Sequence, residues 1–237
     1  MNNKLFEKKI LFDGDSICYG GVKHGNWATR IAERFSAVCP CYAAGGATIT
    51  EHPPLHQGTI ERHSVSATLE RMHAEHPDAD YIILEGGTND ADLLGNAAAG
   101  EESRIGSVIP FDFSGNYDRD TFSGALESLF YRATQLWPHK KIGFIVAQKM
   151  GREERSFFNR RHYFDAAVEI CRKWGIPYID LWEGSYLNPN LPWMYDPTHT
   201  AEENRELNTG YYSDGQHLTA RGYDVTAALI GNWLLTL

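Results

Sequence analysis

The sequence lacks any long apolar run. No stretch of its 237 residues is apolar for long enough to cross a bilayer, and residues 1–9 contain no apolar core of the length that a secretory signal needs. Because both signals are missing, we predict a cytoplasmic protein that has no membrane partner.

Basic charge is also scarce. The sequence has 22 Lys and Arg against 31 Asp and Glu, which gives a formal net charge of −9. A net-negative surface attracts neither nucleic acid nor anionic lipid unless it carries a strong local basic patch. The most basic segment, residues 149–161, is interpreted as the solvated start of a helix, with reception of an anionic substrate group as the alternative. We therefore expect no nucleic-acid partner.

Cysteine is rare, and the few cysteines do not form a metal-binding pattern. The four are Cys18, Cys39, Cys41 and Cys171, and they are predicted to be free, buried thiols. Among the histidines, His52, His56 and His63 are the best metal candidates. Pro53 and Pro54 spoil the helical spacing that would bring the first two together. We predict that the protein uses no metal and no cofactor.

What the sequence does contain is a regular alternation of strand-like and helix-like segments. Short apolar runs at residues 10–12, 38–44, 81–84, 142–147 and 177–181 predict five strands. Between them, apolar residues recur at helical spacing, as in Trp27, Ile31 and Phe35. Parallel strands need crossovers, and those crossovers are helices. The pattern predicts one domain over residues 1–237, an α/β fold with a five-stranded parallel sheet between two helical layers.

Three polar clusters stand at the ends of strand-like runs or at the start of a helix-like one. They are Gly-Asp-Ser at residues 14–16, Gly-Gly-Thr-Asn-Asp at residues 86–90 and Ser-Asp-Gly-Gln-His at residues 213–217. Each alone is ordinary turn or capping chemistry. Since open α/β sheets place their sites at the carboxyl ends of the strands, the three together predict one composite site.

The residue types in these clusters suit nucleophilic catalysis. A serine hydroxyl becomes a nucleophile when a histidine takes its proton, and a carboxylate fixes the tautomer of that histidine. Ser16, His217 and Asp214 supply the three groups. Acyl transfer also needs donors for the oxyanion, for which the backbone N–H groups of Ser16 and Gly46 and the side-chain amide of Asn89 are the candidates.

These motifs resemble the blocks of the SGNH/GDSL hydrolase family. Gly14-Asp15-Ser16 matches its first block, Gly87-Thr88-Asn89-Asp90 its third and Asp214-Gly215-Gln216-His217 its fifth, while Gly46 fits the second block better than Gly45. The resemblance implies a flavodoxin-like three-layer sandwich and metal-free ester hydrolysis through an acyl-serine. It implies Ser16 as nucleophile, His217 as general base and then acid, and Asp214 as the residue that orients His217. It also implies an oxyanion hole made by Ser16, Gly46 and Asn89, with Asp15 and Asp90 supporting the turns.

The substrate is less well specified. Aromatic residues cluster in residues 182–212, before the Asp-His pair, and Trp193 and Tyr195 are candidates for stacking on a sugar, although loop packing also explains them. We predict an esterase that removes a short acyl group, foremost acetyl, from a carbohydrate or similar ester. The alternatives are a lysophospholipase or acyl-thioesterase for longer chains, and a non-catalytic carbohydrate-binding protein. Two irregular segments, residues 91–116 and 182–212, are expected to set specificity.

Overall fold

The structure is a computed structural model that describes residues 3–20, 25–55, 62–96, 99–151 and 153–237. Its sheet consists of β1 (Ile10–Asp13), β2 (Tyr81–Glu85), β3 (Lys141–Val146) and β4 (Tyr178–Asp180), paired in that order and all parallel. These strands coincide with the first, third, fourth and fifth predicted runs, so the parallel α/β fold class is confirmed.

The predicted five-stranded sheet is wrong in its strand number. Residues 38–42 run alongside β1 and exchange hydrogen bonds with it, but they pair only through the isolated bridges Lys9–Val38 and Phe12–Cys41. The interruption falls at Pro40, which has no N–H to donate to the ladder. Counted as an outer neighbour of β1, this segment gives the strand order 2-1-3-4-5 of flavodoxin-like folds.

Helices cover both faces of the sheet. The helices of the described residues are α1 (Ser16–Tyr19), α2 (Trp27–Phe35), α3 (Leu69–Glu75), α4 (Thr88–Leu93), α5 (Phe122–Leu136), α6 (Glu154–Trp174), α7 (Leu181–Gly184), α8 (Ala201–Leu207) and α9 (Ala220–Leu234), with a 3₁₀ helix at Val65–Thr68. A β-carbon on Gly143 of β3 would lie 2.7 Å from the Trp233 ring of α9. The next residue, Phe144, contacts Phe130 of α5 with ring centroids 5.9 Å apart. Since successive strand residues point to opposite faces, α9 and α5 form the two outer layers.

The residues that follow the first polar cluster are helical over α1. The Asp15 side chain caps the start of this helix by accepting from Ile17 N, and Gly20 ends it with a φ of 65°. All four cysteines are free, as predicted, and Cys18 and Cys171 are buried. The prediction of burial is wrong for Cys39 and Cys41, which are only half-buried because they lie on the outer segment beside β1.

The two segments predicted to be irregular also contain helical turns. α4 extends into the first, and α7 and α8 lie in the second. α8 begins with a capping box, in which Thr200 Oγ1 accepts from Glu203 N and Glu203 Oε2 accepts from Thr200 N. This Thr-x-x-Glu pattern is visible in the sequence and predicts a helix start.

The two ends of the chain meet beside β1. Tyr223 of α9 is buried, and its hydroxyl donates to the carbonyl of Ile17 in α1 at 2.8 Å. Trp27 of α2 donates its indole N–H to Thr226 of α9, also at 2.8 Å. These contacts hold the segment before α9 close to Ser16. No helix in the described part of the chain has the length and apolar character needed to cross a bilayer.

Candidate active site

The turn after β1 places Ser16 at the carboxyl end of the sheet. Gly14 allows this turn because a β-carbon there would lie 2.9 Å from the β-carbons of both Cys18 and Glu85. Asp15 is fully buried, and its Oδ1 accepts from Ile17 N at 2.8 Å. Ser16, half-buried, is thereby fixed as the first residue of α1 and presents its hydroxyl at the edge of the sheet.

Residues 213–218, here called the histidine loop, form a tight turn that precedes α9. Tyr212 pairs with Leu218 in an antiparallel bridge, and Ser213 N donates to the carbonyl of His217 at 2.8 Å. Asp214 Oδ1 accepts from the backbone N–H groups of Gln216 at 3.0 Å and His217 at 2.7 Å. The loop therefore fixes the Asp214 carboxylate against its own backbone.

The structure brings together the three residues that the sequence predicts for nucleophilic catalysis. Ser16 Oγ lies 2.9 Å from His217 Nε2, and His217 Nδ1 lies 2.8 Å from Asp214 Oδ2. Because the Asp214 carboxylate accepts, Nδ1 carries the proton and Nε2 is free to accept from the serine hydroxyl. This tautomer is the one that a base for Ser16 requires.

The interaction between Asp214 and His217 favours the ionised carboxylate and the protonated imidazole. Burial disfavours the imidazolium, but the hydrogen bond and charge of Asp214 outweigh it, so the pKa of His217 lies above its usual value. Burial likewise opposes ionisation of Asp214, and the bonds and charge of His217 hold the pKa of Asp214 below its usual value. An ionised carboxylate beside the ring stabilises the imidazolium that proton transfer would create.

The glycine turn and the Asn89 amide lie on neighbouring segments. Gly46 has a φ of 77° whereas Gly45 does not have a positive φ, so Gly46 is the turn residue for which glycine is favoured. Asn89 is buried, and its Nδ2 donates to the carbonyl of Ala47 at 2.9 Å, next to Gly46. An amide nitrogen carries two hydrogens, so Asn89 keeps one for a second acceptor.

Asp90 supports the segment that follows the glycine turn. Its carboxylate accepts from Ile49 N at 3.0 Å, from Thr50 N at 2.9 Å and from Thr50 Oγ1 at 2.7 Å. Burial raises the pKa of Asp90, and these bonds work against that rise. The arrangement agrees with the prediction that Asp90 supports a turn, as Asp15 does at α1.

Glu85, the last residue of β2, is a member of the site region that sequence reasoning missed. It is fully buried, and its Oε2 accepts from Asp15 N at 3.0 Å. Burial, followed by the Asp15 charge, raises the pKa of Glu85 well above its usual value. Burial also raises the pKa of Asp15 to about 6, and a side-chain hydrogen bond with Glu85 works against that rise. The sequence does contain a signal for this residue, because Glu85 is a single acidic residue at the end of an apolar strand.

Asp13, one residue before the nucleophile turn, should make folding stability depend on pH. Burial raises its pKa to about 7, against bonds from Thr68 Oγ1 and Gly14 N. In the unfolded chain, Asp13 ionises at lower pH than it does in the folded protein. The free energy of unfolding therefore falls as pH rises from about 4 to about 7. We expect Asp13→Asn to be more stable than wild type at about pH 8, with a smaller difference at about pH 5.

Chemical denaturation at both pH values measures this difference. Asp112→Asn is the control, because hydrogen bonds from Ser114 hold the pKa of that partly exposed carboxylate below its usual value and it stays ionised at both pH values. The difference in the free energy of unfolding between Asp112→Asn and wild type should be the same at both pH values. A pH-independent difference for Asp13→Asn would contradict the raised pKa.

The basic segment 149–161 is not uniformly solvated. Arg160 is only 6% exposed, and its Nη2 donates to Asp92 at 2.9 Å and to Gln216 Oε1 at 3.1 Å. The predicted solvated surface is therefore wrong for Arg160, because these partners offset its desolvation. Arg160 joins α6 to α4 and to the histidine loop. Arg152 lies outside the described residues.

The two residues predicted to stack on a sugar have different surroundings. Trp193 is 64% exposed, whereas Tyr195 is buried. Only Trp193 offers a free ring face, so the stacking prediction stays with that residue. Among the described residues, no group of three or more His, Cys, Asp and Glu side chains could hold a metal ion. His56 lies outside that set, and the absence of a metal and of a cofactor remains a prediction.

The comparison with protein families identifies the chain. Residues 12–225 match the GDSL-like lipase/acylhydrolase family, a stretch that includes Ser16 and His217. The chain belongs to this family. It is a carboxylic ester hydrolase of the GDSL type, as the motif resemblance implied. No curated protein matches the sequence of this hydrolase significantly.

Solved structures share the fold of this GDSL hydrolase over nearly its whole length. A carbohydrate acetylesterase from Sinorhizobium meliloti is 13% identical, with a TM-score of 0.61 over 97% of this chain and 99% of that one. An acetyl xylan esterase is 17% identical, with a TM-score of 0.59 over 97% and 100%. An M. smegmatis aryl esterase is 14% identical, with a TM-score of 0.61 over 97% and 99%. At these identities the likeness concerns the fold.

Proposed function

We propose that this hydrolase is a serine esterase that removes short acyl groups, foremost acetyl, from a carbohydrate or similar polar ester. The observation that carries the proposal is the continuous chain from Ser16 Oγ through His217 to Asp214, with links of 2.9 and 2.8 Å. These are the distances over which a proton moves between a nucleophile and its base.

The proposed reaction has two halves. Ser16 Oγ attacks the ester carbonyl carbon while its proton passes to His217 Nε2, and His217 then gives that proton to the leaving alcohol oxygen. The products are an alcohol and an acyl-serine. Water next attacks the acyl carbon and gives a proton to His217, which returns it to Ser16 Oγ as the carboxylic acid leaves. Asp214 remains ionised and orients the imidazole throughout.

The developing oxyanion would be bound by the backbone N–H groups of Ser16 and Gly46 and by Asn89 Nδ2. The φ of Gly46 and the anchoring of Asn89 to Ala47 support this assignment, because both donors are held before substrate arrives. Donors that are already oriented need no reorganisation in the transition state.

Asn89→Ala tests the oxyanion assignment. We expect kcat for p-nitrophenyl acetate to fall by about 10²-fold to 10³-fold with a smaller change in KM, since the lost bond is strongest in the transition state. Asn232→Ala, at an exposed position of α9, is the control and should keep wild-type kinetics. An unchanged kcat in folded Asn89→Ala, checked by thermal unfolding, would exclude the amide from the hole.

Support for a short acyl group and a carbohydrate comes from two sides. Two structures that share the fold carry the descriptions acetyl xylan esterase and carbohydrate acetylesterase. Within this chain, the exposed ring of Trp193 is suited to stacking on a sugar. The small-ester substrate class and the cytoplasmic location remain proposals.

A p-nitrophenyl ester series from acetate to octanoate and beyond measures the acyl preference. We expect kcat/KM to be highest for acetate and to fall with chain length. A preference for octanoate or longer would instead favour a lysophospholipase or acyl-thioesterase. Absence of hydrolysis, together with no labelling by a fluorophosphonate, would favour a carbohydrate-binding protein without activity.

A further inference from the structure

The side chain of Arg62 lies directly over the glycine turn of the site. Its Nη1 occupies the space that a β-carbon on Gly46 would take, and its Cζ lies 2.8 Å from that position. Gly46 has no side chain of its own, so the guanidinium covers the backbone that is proposed to bind the oxyanion.

Backbone pairing sets this position. Thr48, two residues after Gly46, donates its N–H to the carbonyl of His63 at 2.9 Å, and Val65 N donates to the carbonyl of Thr48 at 2.9 Å. The segment that begins at Arg62 therefore runs parallel to the glycine turn. Arg62 is directed to Gly46 by the main chain on its carboxyl side.

The guanidinium of Arg62 has no protein partner within the described part of the chain. It makes no hydrogen bond and no ion pair to any described residue, and its Nε is shielded from solvent without an acceptor. By contrast, Arg119 and Arg132 each form an ion pair with Glu51, at 2.8 and 3.3 Å. An unpaired, partly desolvated cation at a site is costly unless something binds to it.

A guanidinium is planar and presents paired N–H donors that match a carboxylate. A chain with a net charge of −9 would repel an anionic substrate unless its site supplied local positive charge. We propose that Arg62 selects esters that carry a carboxylate, on the acyl or on the alcohol part, close to the scissile carbonyl. This inference rests on the proposed function, since it names the substrate class of that site.

Two substrate pairs test the proposal and locate the carboxylate. Mono-p-nitrophenyl glutarate against p-nitrophenyl pentanoate places the charge on the acyl part with the same leaving group. 3-Acetoxybenzoate against 3-acetoxybenzamide places it on the alcohol part. The measured quantity is the ratio of kcat/KM for the anionic ester to that for its neutral partner.

In wild type we expect this ratio to exceed one for at least one pair and to fall as salt is added, since salt screens the attraction. Arg62→Gln should lower the ratio by about tenfold or more, the effect of losing one charge-assisted hydrogen bond. Arg62→Lys should retain part of it. Arg34→Gln, which removes an exposed arginine from α2, is the control for net charge and should leave the ratio unchanged.

The proposal is overturned by a wild-type ratio at or below one for both pairs. It is also overturned if Arg62→Gln slows both members of each pair equally, since Arg62 would then support the glycine turn rather than select the substrate. Should Arg62→Gln not fold, Arg62→Lys and the salt dependence of the wild-type ratio decide. If hydrolysis depends on Ser16 but shows no preference for charge, only the inference about Arg62 is wrong. If hydrolysis persists in Ser16→Ala, or if no ester is hydrolysed, the proposed function is wrong as well.

Discussion

Ser16→Ala is expected to lower kcat/KM for p-nitrophenyl acetate by about 10⁴-fold or more, since removal of a nucleophile usually has an effect of that size. The hydroxyl makes its hydrogen bond to His217, at 2.9 Å, and the substitution removes only that oxygen. The thermal unfolding midpoint should change little. Initial rates of p-nitrophenol release measure the effect directly.

A matched control separates the nucleophile from serines in general. Ser36→Ala, at an exposed position at the end of α2, should retain wild-type kcat/KM. In addition, a fluorophosphonate should modify wild type at Ser16 and leave Ser16→Ala unlabelled, as mass spectrometry of the digested protein would show. Undiminished hydrolysis by Ser16→Ala would overturn the assignment of the nucleophile.

Local sequence was sufficient to predict the strands and the turns that follow them. Ile10-Leu11-Phe12 is apolar throughout, as a strand buried on both faces requires, and a glycine follows the strand directly. Ser16, His217 and Asp214, which the sequence assigned to nucleophilic catalysis, also lie together, with His217 within hydrogen-bond distance of the other two. The single-domain prediction for residues 1–237 stays a prediction.

Edge pairing was harder to predict from composition. Residues 38–44 are apolar enough to be a strand, but a ladder depends on donors as well as on hydrophobicity. Pro40 removes the one N–H that would have joined the two bridges of this segment to β1. The sequence shows the proline, but only the register shows that its nitrogen faces β1.

The burial of ionisable side chains depends on contacts that a sequence does not show. Glu85 and Arg160 look like ordinary surface residues in composition, yet each is buried beside the site. Their partners, Asp15 and Asp92, lie about 70 residues away along the chain. The orientation of Arg62 over Gly46 is a tertiary feature of the same kind.

Asp214→Asn is expected to lower kcat/KM by about 10³-fold and to move its acidic limb to lower pH. An asparagine amide can donate to His217 Nδ1, which favours the tautomer with its proton on Nε2, and that tautomer cannot accept from Ser16. Hydrolysis needs neutral His217, so kcat/KM rises with pH through the pKa of that residue. Asp214 raises this pKa and burial lowers it, so the variant should titrate below wild type.

The chain contains its own control for this experiment. Asp120 and His52 form a second carboxylate–imidazole pair, with Asp120 Oδ1 2.8 Å from His52 Nδ1. Asp120→Asn should leave both the rate and the pH profile unchanged, because that pair is not bonded to a serine nucleophile. If Asp214→Asn lost activity but kept the wild-type inflection, Asp214 would act by supporting the histidine loop rather than by setting the charge state of His217.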